Sequence, residues 1–250
     1  MSSMFPPTQP GETSGLLHVS DFQRDAERNG DSLAGSTRVT SLQASLLQDL
    51  QRFVDDSEGE QRALELLEVM AAAVRHGRSL LVHLQLDYRV VPLTVFPNER
   101  QLHCPLPQSM LLGSPLPELR VLRIEPARVA PPTPDRHDPE ASHRAPLGPL
   151  LWELALRGSR DTLLPEIAGS AAYRIPPGVE LDMPGLGGSL DAAVQRLRRQ
   201  TTNLREIEQW PGFDRERAMR LLNGLYLLSA LIISRAHPAA TNEDWAPRQD

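Results

Sequence analysis

The chain has 250 residues and a net charge of −6, and all 26 of its basic Lys/Arg positions are arginine. Without a lysine amine, Schiff-base and pyridoxal chemistry, the P-loop, the protein-kinase site and Ser-x-x-Lys hydrolysis are excluded. A single cysteine, Cys104, excludes a disulfide framework and a cysteine-based zinc site, and fits a reducing compartment.

Two explanations fit the missing lysine: a GC-rich bacterial genome, or selection against lysine modification, as in proteins delivered into a host cell. The 40% of apolar residues suffice for a core, but aromatics are only 4%, so Leu, Ala and Val must fill it. Residues 1–15 are rich in Pro, Ser and Thr with no apolar h-region, so no signal peptide is expected. Such a start is also compatible with a type III export signal. The longest apolar stretch, 221–233, is too short for a bilayer and contains Asn223, Gly224 and Ser229. A cytoplasmic protein with no membrane partner is the expectation. Charge is uneven: residues 1–70 carry −7, 71–188 balance, 189–236 carry +3 and 237–250 carry −2. The acidic front and basic back suit different partners, or each other.

In chain order, residues 1–39 read as a disordered arm, polar and aperiodic. Thr40 with Gln43 forms a capping box for a helix with Leu42, Leu46, Leu50, Phe53 and Val54 along one face. Ser57 with Glu60 opens a second helix, striped by Ala63, Leu67, Met70 and Val74 and ended by Gly77 after His76. Four strands are predicted at 79–86, 89–96, 100–106 and 119–125, as an antiparallel meander packed on the two helices. In the first, Val82, Leu84 and Leu86 share a face; in the last, Leu122 and Ile124 point inward. Pro92 predicts an edge position or a bulge in the second strand.

The α+β domain thus spans 40–126. Seven prolines between 126 and 149 predict a Pro-rich linker over 127–149. A mostly helical domain follows over 150–236, with a helix at 150–157 stopped by Gly158 and a short strand at 171–175. Ser189 caps a helix to about residue 200, Asn203 with Glu206 caps a short one, and Asp214 caps a long third helix carrying Ala218, Leu221, Leu222, Leu225 and Leu228. Residues 231–234 read as extended, and 237–250 as a loose tail.

The three helices followed by an extended segment, 189–236, resemble a winged-helix or helix-turn-helix module of bacterial regulators, a pattern covering about a fifth of the chain. The resemblance implies that Arg215, Arg217 and Arg220, at the start of the third helix, read DNA. It leaves Arg196, Arg198, Arg199 and Arg205 for phosphates. Arginine suits both tasks because its planar fork matches a guanine edge or a phosphate. Against this stand Glu208, Asp214 and Glu216 among the arginines, the apolar run after Arg220, and the absence of a basic wing. A solvated arginine face on a structural bundle explains the same residues.

Other clusters resolve into structural readings. His103 and Cys104 are neighbours on a strand and point to opposite faces, so Cys104 reads as a buried hydrophobe beside Leu102 and Leu106. His137, Asp138, Glu140 and His143 have metal-ligand chemistry but lie among prolines with nothing to hold a first shell. The run Gly185-Leu186-Gly187-Gly188-Ser189 reads as a hinge and N-cap, since it lacks a preceding strand and is flanked by Asp182 and Asp191. Asp55, Asp56, Glu58 and Glu60 are too closely spaced for a calcium loop. Trp210 and Phe213 flank a Pro–Gly turn and are expected to pin the second helix to the third. Tyr226 and Leu227 suit either the core or a homodimer seam.

No catalytic constellation, cofactor or metal site emerges. The chain is expected to be a non-catalytic bacterial regulatory protein that acts by binding, with DNA as one target of the C-terminal module. The alternative is a protein–protein adaptor or secreted effector that binds no nucleic acid. An enzyme is third, and a pocket holding Cys104 or His83 with a strongly shifted pKa would revive it.

Overall fold

The computed structural model describes residues 16–28, 38–39, 46, 50, 65–127 and 144–240. The first helix, α1 (Val19–Arg28), lies within the segment expected to be a disordered arm. It forms because Phe22 and Ala26, one turn apart, bury against the sheet while Asp21 and Arg24 pair on the outside at 2.7 Å. A two-residue strand, β1 (Arg38–Val39), also falls in that arm. Of the helix predicted from Thr40, Leu46 and Leu50 are helical and buried in the core. Both capping boxes, at Thr40 and Ser57, lie outside the described residues.

Helix α2 (Leu66–His76) is buried over its first eight residues, charged Glu68 among them. Gly77 ends it in the left-handed region at φ 58°, where a Cβ is costly. The Gly77 N–H then reaches Val74 O and the Arg78 N–H reaches Ala73 O, closing the last carbonyls.

The main sheet contains β2 (Leu80–Leu86), β3 (Arg89–Phe96), β4 (Gln101–His103), β5 (Arg120–Pro126) and β6 (Arg144–Pro146), in the order β1-β5-β2-β3-β4-β6. The last five are antiparallel, and β1 adds parallel to β5. Val82 pairs with both Leu93 and Ile124, and Val95 with Leu102, so one face is continuous apolar core. Between His83 and Leu84 the register with β5 slips. The slip brings Val121 inward beside Ile124 and leaves Leu122 half-buried, a correction to the inward position expected of Leu122.

Pro92 lies in an interior strand, paired with His83, and the irregularity sits on the β2–β5 side instead. The strand tolerates the missing N–H because β4 pairs only with Thr94, Val95 and Phe96. On the same edge, Leu17 and Val19 bond only Val90 and Tyr88. Pro92 thus falls in the gap between two short partners.

Between β4 and β5 lie α3 (Gln108–Gly113) and a 3-10 turn at Leu116–Glu118. Residues 144–149, expected within the linker, are instead β6 and the start of α4 (Leu147–Arg157). Pairing with β4 three residues at a time holds β6 in place, and the Leu147 N–H bonds Arg100 O. Helix α4 ends at Gly158, as the sequence predicts.

The C-terminal region contains β7 (Ala172–Arg174), α5 (Ser189–Arg199), α6 (Leu204–Ile207), α7 (Arg215–Leu227) and β8 (Ile232–Ser234). Asn203 and Asp214 are the predicted N-caps, accepting from the N–H groups of Glu206 (2.9 Å) and Arg217 (2.7 Å). Ser189 is the first helical residue; the cap position is Gly188, which has no side chain to offer. Strand β7 pairs antiparallel with β8, and Tyr173 bridges to Thr202 on its other side.

From Ala218 onward, helix α7 has no exposed residue. Ala218, Leu221, Leu222, Asn223, Gly224, Leu225 and Leu227 are buried, largely against α4. A Cβ on Gly224 would stand 2.9 Å from Trp152 Cε3, so glycine permits the close approach of the two helices. Leu227 belongs to the core, and Tyr226 packs against it half-buried. One apolar cluster runs through both halves, from Leu46 to Ala230, and polar ties cross between them. Arg160 bonds Glu68 at 2.7 Å, Arg75 pairs with Glu166, and Arg100 donates to Leu228 O at 3.0 Å.

Candidate binding surface

The arginines singled out in the sequence come to different fates. Arg220 is bound inside the fold: its Nη1 donates to Leu156 O (3.2 Å) and Gly158 O (2.7 Å), its Nε to Glu216 (2.8 Å). It closes the carboxyl end of α4, where a cation meets the unpaired carbonyls. Only 16% of its side chain is exposed. Arg198 donates to Val179 O at 2.8 Å. Arg215 is exposed and lies 3.5 Å from Glu208. Arg205 is exposed and has a partner of its own.

Arg217 and Arg199 differ. Both are exposed, and neither has a side-chain hydrogen bond or ion pair to a described residue. The Arg217 guanidinium lies over the Phe213 ring at 5.3 Å. Phe213 meets Trp210 edge to face, centroids 6.4 Å apart, and Arg196 lies over Trp210 at 4.7 Å. The Trp210–Phe213 contact joins the end of α6 to the start of α7, as their spacing about Pro211–Gly212 predicts. What that spacing does not reveal is the run of contacts from Arg196 through Trp210 and Phe213 to Arg217, with an exposed arginine at each end. The signal was present as two arginines and two aromatics, but Arg196 is fourteen positions from Trp210 and on a different element.

Gly212 has φ 78°, and a Cβ there would meet Ser189 Cβ at 3.1 Å. The turn therefore lies tight on the start of α5. The first turn of α7 also borders a cleft of about 520 Å³, closed on its other side by Pro117, Leu156 and Arg157.

The histidine and cysteine candidates are separated by the sheet. Cys104 is 1% exposed on the core face with Leu102 and Leu106, and burial pushes its thiol above the ordinary value. His103 lies on the opposite face. His83 lies under Phe22 of α1, ring centroids 5.0 Å apart, and its buried Nδ1 has no hydrogen-bond partner. Burial holds the imidazole below its ordinary pKa; Glu125 opposes this and Arg123 adds to it.

Residues 185–189 form an open turn leading into α5, with space around Gly185, Gly187 and Gly188. The His137–His143 cluster, and the acids at 55, 56, 58 and 60, lie outside the described residues. Among the described residues no three His, Cys, Asp or Glu side chains converge as a metal requires, and no helix is long and apolar enough to cross a membrane. No family model matches the chain, and no match is found to a curated protein or to a solved structure.

Proposed function

We propose that the chain is a non-catalytic regulatory protein that acts by binding another protein, with the C-terminal helical module as its docking piece. The observation that supports this reading is that α7 is exposed only over its first turn, Arg215–Arg217. A helix that reads DNA must offer a solvent-facing side to the major groove. Here the apolar positions from Ala218 onward are in the core, and Arg220 is tied to the end of α4. The order α5, α6, α7, β8 supports a winged-helix-like description of the module. Its third strand position comes from upstream: β7 lies between Thr202 and β8. In this description β8 takes its partner from before α5, and its wing is not a hairpin that follows the third helix.

DNA binding is the second reading, favoured by Arg199 and Arg217, which keep their donors unengaged at the module's surface. Affinity purification of the full chain from its native cells, with and without nuclease, tests the choice. A protein recovered at a constant ratio to the chain, and unaffected by nuclease, is expected. Recovery that disappears with nuclease would overturn the protein-docking reading.

A further inference from the structure

The surface of the C-terminal module carries more positive charge than its local carboxylates can answer. Each acid between 189 and 236 is already engaged. Asp191 accepts from Gln195, Glu206 from Thr202, Glu208 faces Arg215, Asp214 caps α7 and Glu216 holds Arg220. Among the described residues, Arg196 and Arg217 meet aromatic faces alone. A guanidinium held over a ring gives none of its N–H groups to a conventional acceptor, so both forks remain available to a carboxylate.

We propose that the run Arg196–Trp210–Phe213–Arg217 is a docking site for an acidic segment of a protein partner, each guanidinium gripping one carboxylate. The proposal rests on the protein-docking reading and gives its partner a chemistry. The contacts that link the two arginines are 4.7, 6.4 and 5.3 Å. These contacts limit the separation of the two guanidiniums to about 16 Å, a range that carboxylates two to five positions apart on an extended segment, ~7–17 Å, cover. A partner with discrete carboxylates suits the site better than a nucleic acid. DNA presents a charge about every 1.7 Å along its axis, more than two separated guanidiniums can answer. The aromatic pair contributes rigidity: Trp210 is almost wholly buried, so the platform under Arg196 is part of the fold.

The test uses the full chain and a labelled peptide of alternating Glu and Ser, beside the matching Gln–Ser peptide and a short labelled duplex DNA, read by fluorescence anisotropy. Saturable binding of the Glu–Ser peptide alone is expected. It should weaken about tenfold or more in Arg196→Ala/Arg217→Ala, a loss of about 1.4 kcal/mol or more. Because both side chains are exposed, the circular dichroism of that variant should match the parent. The variant Arg196→Lys/Arg217→Lys keeps the charge but loses the planar fork, and should weaken binding to a similar degree. Failure to bind the Glu–Ser peptide, equal binding of the Gln–Ser peptide, or full binding by the lysine variant would overturn the proposal. Preference for the duplex would overturn it in favour of nucleic acid. If a nuclease-resistant partner is still recovered from cells while the peptide fails, the docking function stands and only this site is wrong.

Discussion

The Arg160 guanidinium and the Glu68 carboxylate meet at 2.7 Å across 92 positions of sequence, with 11% and 8% of their side chains exposed. Glu68 also accepts the Glu65 N–H at the start of α2, and Arg160 also donates to the carbonyls of Thr162 and Leu163. The pair therefore anchors the loop after α4 to the first turn of α2. Arg160→Ala would take a cation away from a buried carboxylate, at a cost of about 3–5 kcal/mol. Urea unfolding should show that loss, and a Glu68→Leu/Arg160→Met double variant should recover only part of it, because the Glu65 N–H and the carbonyls of Thr162 and Leu163 lose their partner.

Gly224 lets α7 approach Trp152. In an open helix, Gly→Ala gains up to about 1 kcal/mol, but here the new methyl would meet the indole at 2.9 Å. Overpacking of this kind costs about 1–3 kcal/mol. Gly224→Ala should therefore lower the melting temperature, while Gly113→Ala, with open space around it, should not.

Asn223 is fully buried and serves two backbone groups of the loop after α4: its Oδ1 accepts the Leu164 N–H and its Nδ2 donates to Thr162 O, both at 2.9 Å. Asn223→Leu would orphan both, at about 1–3 kcal/mol each. Hydrogen exchange of the Leu164 amide should quicken more than the global loss of stability explains.

How much of this was legible in the sequence depends on the range of the interactions. Gly77, Asn203 and Asp214 act on residues one to four positions away, and each end or cap lies where residue type puts it. Helix α1 was not legible, because its few apolar residues are meaningful only once Phe22 meets His83. Residues 144–146 end in a proline like those around them, yet β4 makes them a strand. Leu122 and Val121 exchange places through a register slip set by β2. At the candidate surface, Arg220 and Arg217 look alike in sequence. Only the carbonyls of Leu156 and Gly158, more than sixty positions upstream, tell them apart.

His83 gives the fold a pH dependence whose sign follows from burial. Its folded pKa lies below the ordinary 6.5, so in that range the unfolded chain binds more protons than the native one. Stability should be fully present above about pH 7.5, fall as pH drops through 6.5 and level off once the folded histidine itself protonates. Urea midpoints across this window should fall more steeply for the parent than for His83→Leu. Parallel curves would show that His83 titrates alike in both states.

The most direct test of protein docking over DNA reading is fluorescence anisotropy of labelled random duplex DNA titrated with the intact chain at low and physiological salt. The comparison variant is Arg199→Glu/Arg217→Glu, chosen because both side chains are exposed and neither supports the fold as Arg220 does. The expected result is a flat titration at both salts. A rise that steepens at low salt and vanishes in the variant would contradict it, and would make the start of α7 a nucleic-acid-binding surface.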